Sequence, residues 1–248
     1  MELKDTVKNA LFVPVICARG GSSLKGKNLM IDAASGLPLV ALAVKKCLTA
    51  FAGRTDVPAP VILTDSAKIA GVAADAGATF PGLFEERDPL ADVTVKLREF
   101  VERCGLWDKW ILEIHCTSPK LSTATLELVP QVFLRREFLM PINSVWISVV
   151  REKQKFTGLF MECENGMFAP AVTQFGWISP SVPRQKLRPA FRYTGAVTLF
   201  HALQLEKETM FDSAEFHMLL HANGGAEAID IDTAEDAARA GLLPAAAA

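Results

Sequence analysis

Near the amino terminus, Ala18-Arg19-Gly20-Gly21-Ser22-Ser23-Leu24-Lys25-Gly26-Lys27-Asn28 gathers three glycines and three cationic side chains into one short stretch. Glycines let a backbone come close to a ligand and turn its N–H groups inward, while Arg19, Lys25 and Lys27 add charged donors. A compact polyanion such as a triphosphate needs both. The spacing Gly21-x-x-x-x-Gly26-Lys27 also opens like a P-loop, but the next residue should be a Ser or Thr that holds Mg²⁺, and here it is Asn28. The long helix that follows a P-loop is blocked as well, by Asp32-Ala-Ala-Ser-Gly36-Leu-Pro38. Near the other terminus, Asp230 and Asp232 alternate with Ala228, Ile229 and Ile231. On a short strand both carboxylates project to one face. Two like charges at that spacing are costly unless a cation sits between them, so the pair reads as a metal site. No Ser/His/Asp or Cys/His pattern demands a protein nucleophile.

These residues need elements to hold them. Leu11–Ala18 is a short apolar run rich in β-branched residues that stops abruptly at Arg19, as a buried strand entering a loop does. Apolar residues at helical spacing run from Pro38 to Phe51. Val61–Leu63 is a strand ending at Thr64-Asp65-Ser66, with Ser66 capping a helix through Ala76 and Gly77 ending it. Trp110–Ile114 is a strand with a polar stop at His115-Cys116-Thr117-Ser118-Pro119, and a helix follows near Thr123–Arg136. This alternation predicts an α/β fold with a mostly parallel sheet and places the polar loops at the carboxyl ends of its strands, where such sheets bind ligands. After Pro141 the pattern turns β-rich. Strands are expected at Ser144–Val150, Gly158–Cys163 and Met167–Val172, with Asn165-Gly166 as a hairpin signal. Phe191–Phe200 and Ala228–Ile231 read as further strands, and Thr233–Leu243 as a helix. The whole reads as a single domain over residues 1–248 with a β-rich insertion at roughly 141–190.

Bulk properties exclude several functions. Half of the 248 residues are hydrophobic, enough for a large core, and the net charge of −2 gives no field that would draw nucleic acid or an anionic membrane. Five cysteines, odd in number and without a C-x-x-C pair, argue against a disulfide framework and a structural zinc site, and fit reduced thiols in a cytoplasmic protein. Glu2 and Asp5 disfavour a secretory leader at the amino terminus, and no apolar run reaches the length of a membrane span.

Taken in order, these stretches resemble the acylneuraminate cytidylyltransferases, the CMP-sialic acid synthetases, from Val15 to Asp236. The first loop is similar to A-R-x-G-S-K-G followed by K-N. Gly36-Leu37-Pro38-Leu39 resembles G-x-P-L, and Thr64-Asp65-Ser66 with Ile69-Ala70 and Gly77-Ala78 resembles S-T-D-S…I-A…G-A. Thr117-Ser118-Pro119 matches the end of L-Q-P-T-S-P, and Ile229-Asp230-Ile231-Asp232 with Glu235-Asp236 matches I-D-I-D…E-D. The hairpin around Asn165-Gly166 and Ala169-Pro170, then Arg184-Gln185 and Phe191-Arg192, follows in sequence.

The resemblance implies a three-layer, Rossmann-like (GT-A-like) nucleotidyltransferase. It also implies a homodimer in which a β-rich segment, here Ser144–Val172, helps to build the partner's site. The implied reaction transfers CMP from CTP to the anomeric hydroxyl of a nonulosonic (sialic-type) acid and releases pyrophosphate, with Mg²⁺ as cofactor. On that basis Arg19, Lys27, Asp230 and Asp232 carry the catalysis, with Mg²⁺ on the two aspartates. Ala18, Arg19, Gly20, Gly21, Ser22, Lys25, Lys27, Asn28 and Arg87 take the nucleotide, and His115, Arg184 and Arg192 take the sugar acid. His115 stands where the family has Gln and is expected to line the site. Cys116, beside it, has no visible activating partner.

Several positions depart from the family pattern. The first loop is one residue shorter, Ser23 stands where a Lys is usual, and Thr194 replaces an Asn. The segment from Arg87 to Asp92 is shortened, and Lys155 lies three residues from the place of a sugar-contacting Lys. Nucleotide handling is thus expected to be kept and sugar recognition altered. Two other readings stay open. One is a CMP-KDO synthetase, whose family has Lys-Pro in place of Lys27-Asn28. The other is a non-catalytic nucleotide-binding relative.

Overall fold

The structure is a computed structural model, described for residues 7–21, 24–84, 93–135, 142–151, 160–162, 168–170, 191–207 and 215–244. Ser22, Ser23, Arg87, Lys155, Asn165-Gly166 and Arg184 lie outside the described residues. In chain order the elements are β1 (Val13–Cys17), β2 (Ile31–Asp32), α1 (Leu39–Ala50), β3 (Val61–Leu63), α2 (Ala67–Asp75), α3 (Val93–Cys104), β4 (Trp110–His115), α4 (Thr123–Leu126), α5 (Leu128–Arg135), β5 (Ser144–Arg151), β6 (Phe160–Glu162), β7 (Phe168–Pro170), β8 (Phe191–His201), β9 (Glu215–Leu220), α6 (Ala234–Ala240) and β10 (Leu242–Leu243).

Among the described residues six strands form the main sheet, in the order β3-β1-β4-β8-β5-β9. β1 runs parallel to both β3 and β4, and β5 parallel to β9; β8 alone is antiparallel to its neighbours. Alternate residues of β1 enter opposite cores. Val13 and Val15 pack with Leu97, Phe100 and Val101 of α3, whereas Ile16 packs with Val40 and Val44 of α1 and Ile69 of α2. Helices therefore cover both faces of the parallel half, which is why β1 and β3 are apolar throughout. Pro14 is tolerated in an inner strand because β3 pairs only with Val15–Cys17.

The structure corrects the sequence reading at several points. Residues 228–231 form no strand. The segment runs irregularly and is anchored by Ile231 N–H donating to Thr117 O at 2.9 Å. The helix expected near Thr123–Arg136 is split at Glu127, because Pro130 has no N–H to donate to Leu126. The last helix stops at Ala240, and Leu242–Leu243 pairs with β2 instead. β5 belongs to the main sheet rather than to an insertion, while β6 and β7 pair as a separate antiparallel hairpin. β9 adds a further strand to the main sheet, beside β5.

Candidate active site

Strand order reverses at β1: the chain steps from β1 to β3 on one side and later to β4 on the other. A crevice opens at the carboxyl ends of such strands. Here it is a cleft of about 280 Å³ lined by Cys17, Ala18, Arg19, Lys27 and Asn28, by Leu63, by Val93 and Lys96 of α3, by His115 and Thr117, and by Asp230 and Asp232. The structure thus brings together Ala18, Arg19, Lys27, Asn28, His115, Asp230 and Asp232 from three distant parts of the chain. Gly21 and Lys25 are exposed and do not line the cleft. Arg192 lies exposed on β8, paired with Val150.

Gly26 turns the loop back into the cleft. Its φ of 70° is left-handed, open to glycine without strain, and it starts the single 3₁₀ turn Lys27–Leu29. No long helix follows, so the P-loop architecture is absent. Lys27 Nζ donates to Ile231 O at 3.0 Å and to Asp232 Oδ1 at 3.1 Å. It is the cation beside the aspartates that their repulsion calls for, although the pair sits on irregular backbone rather than a strand. Asp230 Oδ1 accepts from Ile231 N–H at 3.0 Å. Ile231 is buried with Leu39, Ala237, Ala240 and Leu242, so an apolar anchor holds the two carboxylates at the cleft.

Asn28 is buried, and both ends of its amide are used. Nδ2 donates to Arg19 O at 2.7 Å, and Oδ1 accepts from Cys116 Sγ at 3.2 Å. Asn28 therefore shapes the loop as well as lining the cleft. Burial pushes the Cys116 thiol up to about 12, so it is no nucleophile.

His115 Nε2 meets Oε1 of the buried Glu113 at 3.1 Å. Burial opposes protonation of the ring, but the Glu113 carboxylate, its hydrogen bond and the nearby Asp230 outweigh that, and the imidazole is held above its ordinary value. Glu113 was missed in the sequence although its signal was legible: it is a lone charge in an apolar strand, two residues from His115 and so on the same face. Lys96 carried no such signal, since charged helix positions are ordinary. Asp65 lay within a matched motif, yet only the folded chain reveals its bond to Gly20 N–H, at 2.7 Å. Thr194 also finds its partners away from the cleft: its hydroxyl meets Ser148 Oγ and His221 Nε2, each at 2.8 Å.

Neither a family model nor a curated protein matches the sequence. Solved structures do. A CMP:2-keto-3-deoxy-manno-octonic acid synthetase complexed with CTP superposes with a TM-score of 0.64 at 14% identity, over 93% of this chain and 96% of that one. A 4-diphosphocytidyl-2C-methyl-D-erythritol synthase from Anaerococcus prevotii gives 0.58 at 11% identity, over 93% and 96%. The fold is the Rossmann-like α/β arrangement of these structures. A cytidylyltransferase from Leptospira borgpetersenii agrees, with a TM-score of 0.53 at 13% identity over 92% of this chain and 83% of that one. The expected α/β class and mostly parallel sheet are borne out.

Among the described residues no three His, Cys, Asp or Glu side chains are grouped as a metal site. A closed zinc-type cage is thus absent there. Two carboxylates at a cleft fit Mg²⁺, which takes one or two carboxylates and completes its shell with phosphate oxygens and waters. No helix among the described residues is long and apolar enough to cross a membrane.

Proposed function

We propose that this protein is a cytidylyltransferase that joins CMP from CTP to the anomeric hydroxyl of an ulosonic acid, with a nine-carbon, sialic-type acid as our reading of the acceptor. The observation that carries the proposal is the meeting of Arg19, Lys27 and Lys96 with Asp230 and Asp232 in one cleft at the carboxyl edge of the sheet. Cations suit a triphosphate, and a carboxylate pair suits its counter-ion. Among the structural neighbours are a CMP-sugar-acid synthetase complexed with CTP and a cytidylyltransferase, which supports this reading.

In the proposed reaction the anomeric oxygen bonds to the α-phosphorus, the bond from that phosphorus to the bridging oxygen breaks, pyrophosphate leaves with that electron pair, and the hydroxyl proton passes to water. Catalysis is mostly positioning and charge neutralisation. Arg19 and Lys27 hold the triphosphate. Asn28 supports the loop, and Arg87 adds a contact on the nucleotide side. His115, Arg184 and Arg192 receive the sugar acid, arginine being suited to bidentate carboxylate binding. Asp230 and Asp232 would hold Mg²⁺, which supplies neutralisation of phosphate charge when bound.

A second acceptor is favoured by one observation: the octonic acid synthetase neighbour acts on an eight-carbon acid. One experiment tests both readings. The protein is incubated with CTP, Mg²⁺ and a panel of eight- and nine-carbon ulosonic acids, and pyrophosphate release is followed. Release with a nine-carbon acid supports the proposal, much faster release with the eight-carbon acid changes the acceptor, and no release with any member would falsify the reaction.

We also propose a homodimer, as the family resemblance implies. Phe216, Met218 and Leu220, alternate residues of the edge strand β9, are each half exposed and form an apolar row suited to a second copy.

A further inference from the structure

The loop that follows β1 is held at one peptide unit from two sides. Ala18 N–H still belongs to the sheet, donating to Leu63 O at 2.9 Å. At the next peptide the chain leaves the sheet. The carbonyl of Arg19 accepts from Asn28 Nδ2 at 2.7 Å, and the N–H of Gly20, across the same peptide bond, donates to Asp65 Oδ1 at 2.7 Å. A peptide unit is planar, so fixing its C=O and its N–H sets its orientation. Both holding residues are themselves held. Asn28 accepts from Cys116 Sγ at 3.2 Å. Asp65 lies between the buried Thr64 and Ser66, the residue that caps α2 by accepting from Ile69 N–H at 3.4 Å. The fit is close: a Cβ on Gly20 would lie 3.1 Å from Ser66 Cβ and 3.4 Å from Asp65 Oδ1. A side chain at position 20 would press on Ser66 and displace it by a few tenths of an ångström.

We propose that Asp65 and Asn28 form a two-sided clamp on the Arg19–Gly20 peptide, and that Asp65 is a positioning residue that sets where Arg19 meets the triphosphate. The clamp itself stands on geometry alone; its role in nucleotide binding rests on the cytidylyl-transfer reading above. Two consequences follow. Gly20 N–H is committed within the protein, so this glycine serves the loop by close approach rather than as a phosphate donor. A carboxylate beside an anion-binding loop is electrostatically unfavourable for the ligand, so Asp65 acts there as an acceptor and not through its charge. Asp65→Asn keeps an acceptor and removes the charge, whereas Asp65→Ala removes both.

Amide exchange and nucleotide affinity test the two parts separately. In the nucleotide-free protein, Gly20 should exchange more slowly than Gly21, which is exposed and has no hydrogen-bond partner among the described residues. Asp65→Ala should speed Gly20 exchange about tenfold and weaken CTP binding by calorimetry about tenfold, as expected for one lost hydrogen bond. Asp65→Asn should stay close to the parent protein in both. Gly20 exchanging as fast as Gly21 in the parent protein would overturn the clamp. Protected Gly20 with unchanged CTP affinity in Asp65→Ala would overturn the positioning role. Asp65→Asn losing affinity as fully as Asp65→Ala would show that the charge matters and overturn the acceptor argument. If the parent protein protects Gly20 but binds no CTP, the cytidylyl-transfer reading fails and the clamp stands.

Discussion

Lys27 and Asp232 show how a single residue can answer two needs. The ammonium lies 3.1 Å from the carboxylate and is largely buried, while the carboxylate is mostly exposed. The pair stitches the loop after β1 to the segment before α6 and keeps a cation beside two acidic groups. Asp230 instead accepts from the backbone N–H of Ile231. Asp230→Ala is therefore expected to lower pyrophosphate release at least a hundredfold, about the effect of removing one preorganised electrostatic group. The melting temperature should stay nearly unchanged. Near-normal turnover would place the metal elsewhere. A second residue-scale prediction concerns the ring of His115. Because Glu113 is the chief group raising its proton affinity, Glu113→Gln should move its titration midpoint downward, since burial then dominates. NMR of the imidazole protons reads this directly, and an unmoved midpoint would assign the effect to Asp230. The pairing contributes fully below the ordinary imidazole value of about 6.5 and fades as pH rises through the raised value.

Among the elements, the central one is the turn that joins β9 to the site-bearing segment. Glu227 is buried and accepts from Ser122 Oγ at 2.6 Å, Thr125 Oγ1 at 2.6 Å and Asn223 N–H at 3.0 Å, and its Oε2 lies 2.9 Å from His221 Nδ1. His221 in turn meets Thr194, and Thr194 meets Ser148. One polar chain thus ties α4 to β5, β8 and the approach to Asp230. Burial raises the Glu227 carboxyl, but the bonds from Ser122, Thr125 and His221 outweigh it and bring the group down to about 2. Its contribution to stability is present above the ordinary value of about 4.5 and is lost as pH falls towards 2. Glu227→Ala strands several buried donors and should cost about 3 kcal/mol or more in urea unfolding. It should also flatten the acid limb of the stability curve. A loss below about 1 kcal/mol would mean that the chain of bonds is passive.

At the scale of the molecule, the sheet has a parallel half covered by helices and a mixed half ending on β9. The inner face of β9 is satisfied: Leu219 is buried and His217 stacks on Trp146 at 4.6 Å. The outer row of Phe216, Met218 and Leu220 is not covered to the same degree. If it meets a second copy, sedimentation should show a dimer and Met218→Glu should shift it towards monomer. A monomeric parent protein would remove the proposal. The elements of the parallel half were legible in the sequence because their signals are local. Val13–Cys17 and Val61–Leu63 are apolar runs with abrupt polar stops, Ser66 is a cap, and Gly26-Lys27 marks a turn with a charge. The polar stops placed the loops at the carboxyl edge, and with them the cations after β1; the aspartate pair was expected on a strand, and only the fold brings it to that edge. What the tertiary structure alone decided are relations between distant residues. Asp65 reaches Gly20, Lys96 enters the cleft from α3, Cys116 orients Asn28, and residues 228–232 stand as an anchored irregular segment rather than a strand. Periodicity reports which face of an element a side chain takes, but which atoms finally meet depends on how the layers pack, and no local pattern encodes that.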